Sequence, residues 1–339
     1  MGAWDELAAL TVTVEGAATE RRSVRYSAEF ERVTTTLVLR GAAEEGRGED
    51  IGYVADDHAS FPDAGGLGLI GSRSLGEACG LLEGVDLFAG APPQMPAARD
   101  YRRWAFDSAL LDLALRQAGV SLGAALGRDY RPLRFVASSP AWIERSDTLE
   151  LKLDTQTDWD RARVEQLAAT GRVVVVDFKA HYKGTAVDTV FDERLYRDVA
   201  ECFPSALLED PDTSEEGRRA LAGHEGRFAF DAPVHSLADL DAFGIDLRHA
   251  NVKPSRFGSL ARLLEFIEAC DERGIEMYGG GQSELGVGRL QIQSLASLFY
   301  PDGPNDVAPG AYNDPSVTDG LPLSPLPPPA SPVGFGYTA

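Results

Sequence analysis

The stretch from residue 149 to residue 286 repeats one pattern, a short apolar run that ends in a charged residue. The runs are LELK (149–152), VVVVD (173–177), ALLE (206–209), FAFD (228–231) and ANVK (250–253). Runs of this length are typical of buried parallel strands, and the segments between them have the spacing of helices. This alternation of strands and helices predicts a parallel α/β sheet or barrel.

The charged residues that end these runs are candidates for an active site. In chain order they are Lys152, Asp177, Glu209, Asp231 and Lys253. In a parallel barrel the carboxyl ends of the strands meet at one face, where active sites lie. Three carboxylates at that face offer the hard oxygen ligands that suit Mg²⁺. Each acid taken alone has a second interpretation, because an acid after a strand is commonly a helix cap or a solvated loop residue.

The two lysines, Lys152 and Lys253, would stand on opposite sides of such a metal. A nearby dication lowers the pKa of a lysine by like-charge repulsion, and a neutral amine can abstract a carbon-bound proton near neutral pH. Lys152 has another interpretation, because Glu150 and Asp154 flank it and either carboxylate could hold it in an ion pair.

The composition narrows the classes of protein. The chain has 339 residues, of which 44% are hydrophobic and 25% are charged, and its formal net charge is −21. It can therefore bury a large core, whereas nucleic acid and anionic membranes are disfavoured as partners. Cys79, Cys202 and Cys270 have no paired spacing, so we expect neither a zinc site nor a disulfide framework and predict a cytoplasmic setting. No apolar stretch approaches the length of a membrane span.

Residues 1–128 are predicted to form an α+β domain. The strands, in which apolar and polar side chains alternate, are 10–16, 23–30 and 32–40. Loops and one short strand are expected over 41–66, where acids and glycines are frequent. A helix is predicted over 101–117, with Gly119 just beyond its end.

Residues 129–312 are predicted to form the barrel. Its first strand is expected at 133–139 and its second at 149–153, which leaves too little chain for a crossover helix of about a dozen residues. The first barrel helix is therefore predicted to be missing. Residues 313–339 are proline-rich and are expected to form either an extended strap over the surface or a disordered tail.

Several phrases in the chain resemble the enolase superfamily, and specifically its muconate lactonizing enzyme-like branch. They are LLEDP (207–211), FAFDAP (228–233), NVKPSRFGS (251–259) and YGGGQSELGVGR (278–289). The segment RRWAFDSALLDLALRQAG (102–119) is similar to the helix that closes that family's N-terminal domain. The resemblance implies a modified TIM barrel with an N-terminal α+β capping domain. By the same resemblance, loops near residues 16–22 and 53–61 would close over the substrate.

The resemblance also implies a function. Asp177, Glu209 and Asp231 would bind Mg²⁺ as the cofactor, and Lys152 and Lys253 would act as base and acid on opposite faces of the substrate. The implied reaction is that of a lyase or isomerase, in which a proton α to a substrate carboxylate is removed and the metal stabilises the resulting enediolate. The implied substrate is a small carboxylic acid, succinylbenzoate-like or an N-acylamino acid. The resemblance is compatible with a homo-oligomer.

The chain departs from that family's pattern at three places. They are Glu150-Leu151-Lys152 in place of Lys-x-Lys, Asp177-Phe178-Lys179 in place of Asp-x-Asn, and Asp231-Ala232 in place of Asp-Glu. In an alternative register, Lys152 is the first lysine of the motif and Asp154 replaces the second, which leaves Lys253 as the base. Two other functions therefore stay open: an ammonia-lyase-like β-elimination, and a catalytically degenerate metal-binding protein on the same scaffold.

Further residues are predicted to line the substrate pocket. They are Lys179, His181 with its neighbour Tyr182, Gly280, Gln282 and Glu284. Lys179 would add a third amine at the mouth of the site, and the glycines at 279–281 would let a substrate approach the backbone closely. Mandelate racemase-like members have a histidine at the strand that corresponds to 277–279, and dipeptide epimerases have an Asp-x-Asp motif near the eighth strand. This chain has no histidine after 277–279 and no Asp-x-Asp within 305–314.

Overall fold

A computed structural model describes residues 2–25, 31–59, 61–88, 91–185, 187–242, 247–314, 317, 319–330 and 332–337. These residues form a strand-rich N-terminal cap and a ring of parallel strands with helices outside it. The predicted fold class, an α/β modified TIM barrel with an N-terminal α+β capping domain, is confirmed. Among the described residues, no helix is both long and apolar enough to cross a membrane.

The cap combines a three-stranded antiparallel sheet, a two-stranded pair and one long helix. Its strands are β1 (Thr11–Val14), β2 (Gly16–Arg25), β3 (Glu31–Gly41), β4 (Glu44–Asp50) and β5 (Gly71–Ser74), and its helices are α1 (Ala3–Ala8), α2 (Leu75–Gly80), α3 (Ala98–Ala118) and α4 (Leu122–Ala125). The sheet order is β2-β3-β4, and β1 pairs with β5. Helix α3 is the predicted helix, and it ends at Gly119 in the left-handed conformation that favours glycine.

One prediction for the cap was wrong. Residues 16–22 were expected to form a loop over the substrate, but they belong to β2 and pair with β3 residue by residue. This strand lies at the edge of its sheet and is mostly exposed, so its charged residues, such as Arg21 and Arg22, give no apolar alternation to recognise. Of the strand predicted over 23–30, residues 26–30 lie outside the described residues.

The short strand expected within 41–66 is β4, and its glycines serve packing. A Cβ added at Gly46 would overlap backbone and side-chain atoms of α3 near Ala109 and Leu113, and one added at Gly48 would overlap the carbonyl of Ala105. Glycine therefore lets this strand approach the long helix closely. The described loop residues that follow β4 include a 3₁₀ turn, Ala55–His58.

Among the described residues, the barrel has six regular parallel strands and two irregular ones. The regular strands, hydrogen-bonded in chain order, are β6 (Leu151–Asp154), β7 (Val173–Asp177), β8 (Leu207–Glu209), β9 (Phe228–Phe230), β10 (His249–Val252) and β11 (Glu276–Gly279). Isolated bridges close the ring, joining Ala137 to Leu151, Phe135 to Asn305, and Gly280 to Asp306. The strand predicted over 133–139 therefore forms single bridges in place of a continuous ladder.

The helices outside the ring follow the predicted alternation. They are α5 (Trp142–Arg145), α6 (Arg161–Ala168), α7 (Glu193–Cys202), α8 (Glu215–Ala220), α9 (Leu237–Ala242), α10 (Leu260–Arg273) and α11 (Val287–Phe299). Only the single turn α5 stands between the first two barrel strands, so the predicted loss of the first barrel helix is confirmed. Asp160, Asp192, Ser214 and Ser259 cap the amino ends of four of these helices.

The proline-rich end of the chain lies against the rest of the fold. Leu326 exchanges backbone hydrogen bonds with Leu133, the beginning of the first barrel strand. Phe335 is 2% exposed, and its ring lies edge-on to Trp104 of α3 at 6.2 Å between centroids. Residues 319–330 and 332–337 therefore form an extended strap, which is one of the two expectations for this segment.

Candidate metal centre

Three buried carboxylates meet at the carboxyl ends of neighbouring barrel strands. Asp177 ends β7, Glu209 ends β8, and Asp231 follows β9. All three are 0% exposed, and one oxygen from each lies within 4.8 Å of the others. Within the described residues this is the one group of three or more metal-ligating side chains found so close together.

Strand register explains why these side chains meet. The pairing of β7 with β8 places Asp177 directly beside Glu209, and the pairing of β8 with β9 places Glu209 beside Ala229. Asp231 lies two residues beyond Ala229, and residues two apart on a strand face the same side. All three carboxylates therefore point into the barrel from adjacent strands.

Lys152 lies against this cluster and not against its sequence neighbours. It is 2% exposed, its ammonium donates to Glu209, and it lies 3.3 Å from Asp177. Glu150 instead accepts two hydrogen bonds from Arg134, at 2.6 and 2.8 Å. The interpretation of Lys152 as the partner of Glu150 is therefore wrong. Glu150 lies just before β6, and the register of this strand shifts between Leu151 and Lys152, so the two side chains do not share a face as residues two apart on a regular strand would.

Lys253 and Arg256 contact Asp231 from the other flank. The Lys253 ammonium donates to Asp231 at 2.8 Å, and the Arg256 guanidinium donates to the second Asp231 oxygen at 2.7 Å. Gly280 makes room for this arrangement, since an added Cβ would lie 2.6 Å from Lys253 Cε. An amine therefore stands on each side of the three carboxylates, Lys152 at one and Lys253 at the other.

Burial and neighbouring charges separate the pKa values of the two lysines. Burial alone lowers the pKa of Lys152, but attraction by Glu209 and Asp177 outweighs it and raises that pKa well above its usual range. For Lys253, burial dominates over the attraction of Asp231 and lowers the pKa. Burial also raises the pKa of Glu209 to about 7, although Lys152 opposes the shift. Lys253 is thus the amine whose pKa moves toward that of a general base.

Lys179 contacts Asp177 directly. Its backbone N–H donates to one Asp177 oxygen at 2.9 Å, and its ammonium donates to the other at 2.5 Å. The ammonium also lies 3.3 Å from Asp154 and 5.1 Å from the centre of the Tyr182 ring. Asp154 therefore pairs with Lys179, and the alternative pairing of Lys152 with Asp154 is wrong.

The other predicted pocket residues lie around the cluster without binding its carboxylates, with Tyr182 as the exception. Tyr182 donates its hydroxyl to Asp231 at 2.9 Å. The His181 ring donates to the carbonyl of Pro211 at 3.0 Å. Gln282 donates its side-chain amide to Ser255 and its backbone N–H to Glu284, both at 2.7 Å. The two contacts of Gln282 stabilise the conformation of the loop after β11.

Four residues near the cluster were not predicted from the sequence. They are Arg256, Asp210, Asn251 and Tyr278. Tyr278 donates its hydroxyl to Glu209 at 2.5 Å, and Asn251 donates to the same carboxylate at 3.3 Å. Both lie on strands and are the first residues of quoted motifs, NVKPSRFGS and YGGGQSELGVGR, and only their inward direction would have indicated a role.

The cap is fastened to the loop above the cluster. Arg32, which is 0% exposed, donates to the carbonyls of Gln282 and Ser283 at 2.9 and 3.1 Å. Glu49 at the end of β4 accepts backbone N–H groups of Leu285 and Gly288, at 2.8 Å each, beside the amino end of α11. These contacts hold the cap over the carboxyl ends of the strands.

A large cavity lies at the other end of the barrel. It has a volume of about 890 Å³, and Arg227, His249 and Glu276 at the beginnings of the strands line part of it. A pocket of about 80 Å³ lies at the carboxyl ends, beside Ser138 and Asp306. The larger cavity is thus separate from the three carboxylates.

Two models of one protein family match the chain. They are described as the N-terminal and C-terminal domains of a domain of unknown function, DUF8230, and they match residues 5–125 and 129–314. The chain belongs to the DUF8230 family.

Solved structures with the fold of this DUF8230 protein belong to the enolase superfamily. A superfamily member from Listeria innocua is 15% identical, with 88% of this chain and 86% of that one covered and a TM-score of 0.65. A dipeptide epimerase from Methylococcus capsulatus, complexed with Mg and the dipeptide L-Arg-D-Lys, is 21% identical over 97% and 100%, with a TM-score of 0.67. Muconate lactonizing enzyme from Pseudomonas fluorescens is 16% identical over 96% of each chain, with a TM-score of 0.63. The predicted resemblance to the superfamily is confirmed at the level of the fold.

One short sequence match points to the same group. The o-succinylbenzoate synthase of Bacillus subtilis (strain 168) is 38% identical over 58 residues, which are 17% of this chain and 16% of that enzyme. The matched segment spans less than a fifth of either protein.

The side chains present fit a hard divalent cation. Asp177, Glu209 and Asp231 supply oxygen atoms alone, and all three are fully buried and close enough to share one ion. Three ionised carboxylates so close together repel one another in a medium of low dielectric constant unless positive charge lies among them. The cluster therefore has the donor chemistry that a metal site requires, and in this structure lysine and arginine side chains supply the positive charge.

Proposed function

We propose that this protein is a Mg²⁺-dependent lyase or isomerase that removes a proton α to a substrate carboxylate. The observation that carries the proposal is the set of three buried carboxylates with an amine on each flank. Asp177, Glu209 and Asp231 would hold the ion. When bound there, Mg²⁺ supplies positive charge that polarises the substrate carboxylate and makes its α-proton more acidic.

The two lysines would divide the proton transfers between them. Lys253 would accept the α-proton, since burial lowers its pKa. Lys152 would stay protonated beside Glu209 and Asp177, where it can offset negative charge that develops on the substrate or return a proton to it. Return to the opposite face gives an isomerase, whereas loss of a group from the neighbouring carbon gives a lyase.

The proposed substrate is a small carboxylic acid. A succinylbenzoate-like acid is supported by the short match to the Bacillus subtilis synthase, and an N-acylamino acid by the earlier motif resemblance. Neither class is favoured by a specific side chain in the site. A library of both classes is therefore the appropriate first set of substrates.

Solvent deuterium exchange tests the proposal. The protein would be stripped of metal with EDTA, supplied with increasing Mg²⁺, and incubated in D₂O with the acid library while NMR follows the α-proton. We expect exchange that requires Mg²⁺ and that falls about 10²- to 10⁴-fold in Lys253→Ala. Lys183→Ala is the matched control, because this lysine is largely exposed and its nearest acid, Asp188, is 3.7 Å away. Exchange that survives EDTA or Lys253→Ala would reject the assignment.

Two alternatives have distinct outcomes in the same assay. A catalytically degenerate protein, which the contact of Lys179 with Asp177 favours, would bind Mg²⁺ without exchanging any acid. An ammonia-lyase-like β-elimination would release ammonia from an amino acid substrate.

A further inference from the structure

Lys179 occupies both oxygens of one carboxylate in the proposed metal centre. Its backbone N–H donates to Asp177 Oδ1 at 2.9 Å, and its ammonium donates to Asp177 Oδ2 at 2.5 Å. The backbone of Lys179 has a φ of 55°, a left-handed conformation that is uncommon outside glycine. This conformation allows one residue to fold back onto a carboxylate only two positions earlier.

Every carboxylate of the cluster already has a cationic partner. The three carboxylates face four cationic side chains, namely Lys152, Lys179, Lys253 and Arg256. A divalent ion added to this arrangement would leave a large positive excess at a buried site, where like charges repel strongly. Binding of the metal is therefore easier if one of these cations moves away.

Lys179 is the cation best placed to move. Its side chain is 14% exposed, compared with 3% for Lys152 and 6% for Arg256. It also has a second partner outside the cluster, Asp154, whose Oδ1 lies 3.3 Å from the ammonium and whose side chain is 46% exposed. Lys179 can leave Asp177 without losing a counter-ion. Among the described residues, the acidic partners of Lys152, Lys253 and Arg256 all belong to the cluster.

We infer that Lys179 is a resident counter-ion that competes with the divalent cation for Asp177, and that it transfers to Asp154 when the metal binds. The inference rests on the proposed metal centre and adds to it the side chains that set the affinity. Lys179 weakens binding by occupying a ligand, and Asp154 strengthens binding by drawing the ammonium away. The two residues are thus expected to act on metal affinity with opposite signs.

Metal titration of the full chain tests this pair. The dissociation constants of Mn²⁺ and Mg²⁺ would be measured on EDTA-treated protein by EPR and calorimetry. Lys179→Asn, in which asparagine tolerates the left-handed backbone, is expected to bind about tenfold more tightly. Asp154→Asn is expected to bind several-fold more weakly. In the double variant, the effect of Asp154→Asn is expected to disappear, because the lysine on which it acts is gone.

Controls separate this mechanism from general effects of charge and folding. Lys183→Asn removes an exposed lysine four residues further along and should leave the dissociation constants unchanged. Thermal unfolding without metal checks that each variant is folded, and Lys179→Gln replaces Lys179→Asn if the latter is not. Unchanged or weaker binding in the Lys179 variant would overturn the inference, as would an Asp154→Asn effect that persists in the double variant. Absence of binding to both wild-type and Lys179→Asn protein would instead reject the metal centre itself, and the competition with it.

Discussion

At the residue scale, single side chains decide what each strand-end acid does. Glu209 and Asp210 are adjacent acids in the phrase LLEDP, yet only Glu209 joins the cluster. Asp210 has a left-handed φ of 46°, and its two oxygens accept the backbone N–H groups of Asp231 and Ala232 at 2.8 and 2.9 Å. Asp210 is therefore a positioning residue that holds the end of β9, and with it the Asp231 carboxylate.

Gly280 gives a prediction at this scale. A Cβ at this position would lie 2.5 Å from Asn251 Oδ1 and 2.6 Å from Lys253 Cε, so Gly280→Ala must displace the proposed base. We expect exchange activity to fall about 10²-fold, since a displacement of about 1 Å has an effect of that order. Steady-state kinetics on the substrate found by deuterium exchange would measure the fall. Gly310→Ala is the control, because its added Cβ meets nothing within 4 Å. Equal activity of the two variants would contradict the role given to Gly280.

At the scale of elements, a side chain of the N-terminal cap domain binds the amino end of a barrel helix. Helix α11 begins after Gly286, which has no side chain to cap it. The carboxylate of Glu49 on β4 accepts the N–H groups there, so a strand of one unit caps a helix of the other. Folding of the cap and positioning of the loop before α11 are therefore linked.

His58 in the 3₁₀ turn Ala55–His58 adds a pH dependence to the cap. It is 5% exposed, its Nδ1 accepts from Thr35 at 3.0 Å, and its Nε2 donates to the carbonyl of Gly52 at 2.9 Å. Burial lowers the pKa of His58 below its usual value, although Asp50 opposes the shift. The unfolded chain therefore binds a proton more readily, and the contribution of His58 to stability is present above pH 6.5 and lost as the pH falls below it.

The prediction is a steeper loss of stability on acidification in the wild type than in His58→Gln. The difference is expected to reach at most about 1.4 kcal/mol per pH unit, the value for one proton. This difference can be measured by urea unfolding of both proteins at several pH values between about 5 and about 7.5, which lie on either side of the ordinary histidine pKa. Parallel curves for the two proteins would show that another group is responsible.

At the scale of the whole molecule, the proline-rich strap joins the cap helix to the barrel. Phe335 packs against Trp104, and its backbone N–H donates to Asp112 at 2.8 Å, both on α3. Leu326 pairs with Leu133 at the start of the barrel. The strap therefore contributes to stability through contacts distant in the sequence.

We expect Phe335→Ala to lower the free energy of unfolding by about 3 kcal/mol, because it removes a ring that is 2% exposed. Val333→Ala, at a side chain that is 46% exposed, should change it by less than about 0.5 kcal/mol. Chemical denaturation of the two variants measures both values. Similar stabilities would mean that the strap adds nothing to the fold.

Much of the barrel was predictable from local patterns. The apolar runs recovered the order of β6 to β10, and Gly119 marked the end of α3. Strand β2 was missed over 16–22 because it is an exposed edge strand with charged side chains. The first barrel strand was expected to be regular, but it is held by single bridges to Leu151 and Asn305, which no local pattern reports.

The charged residues that end successive strands could be identified from local patterns, because the period of a strand and the direction of a parallel sheet place those ends at one face. Local patterns do not report which groups pair there. Lys152 pairs with Glu209 and not with Glu150, and Lys179 binds Asp177. These pairings depend on the folded barrel, because a lysine side chain is long and flexible and pairs with the carboxylates that the closed barrel brings within its reach.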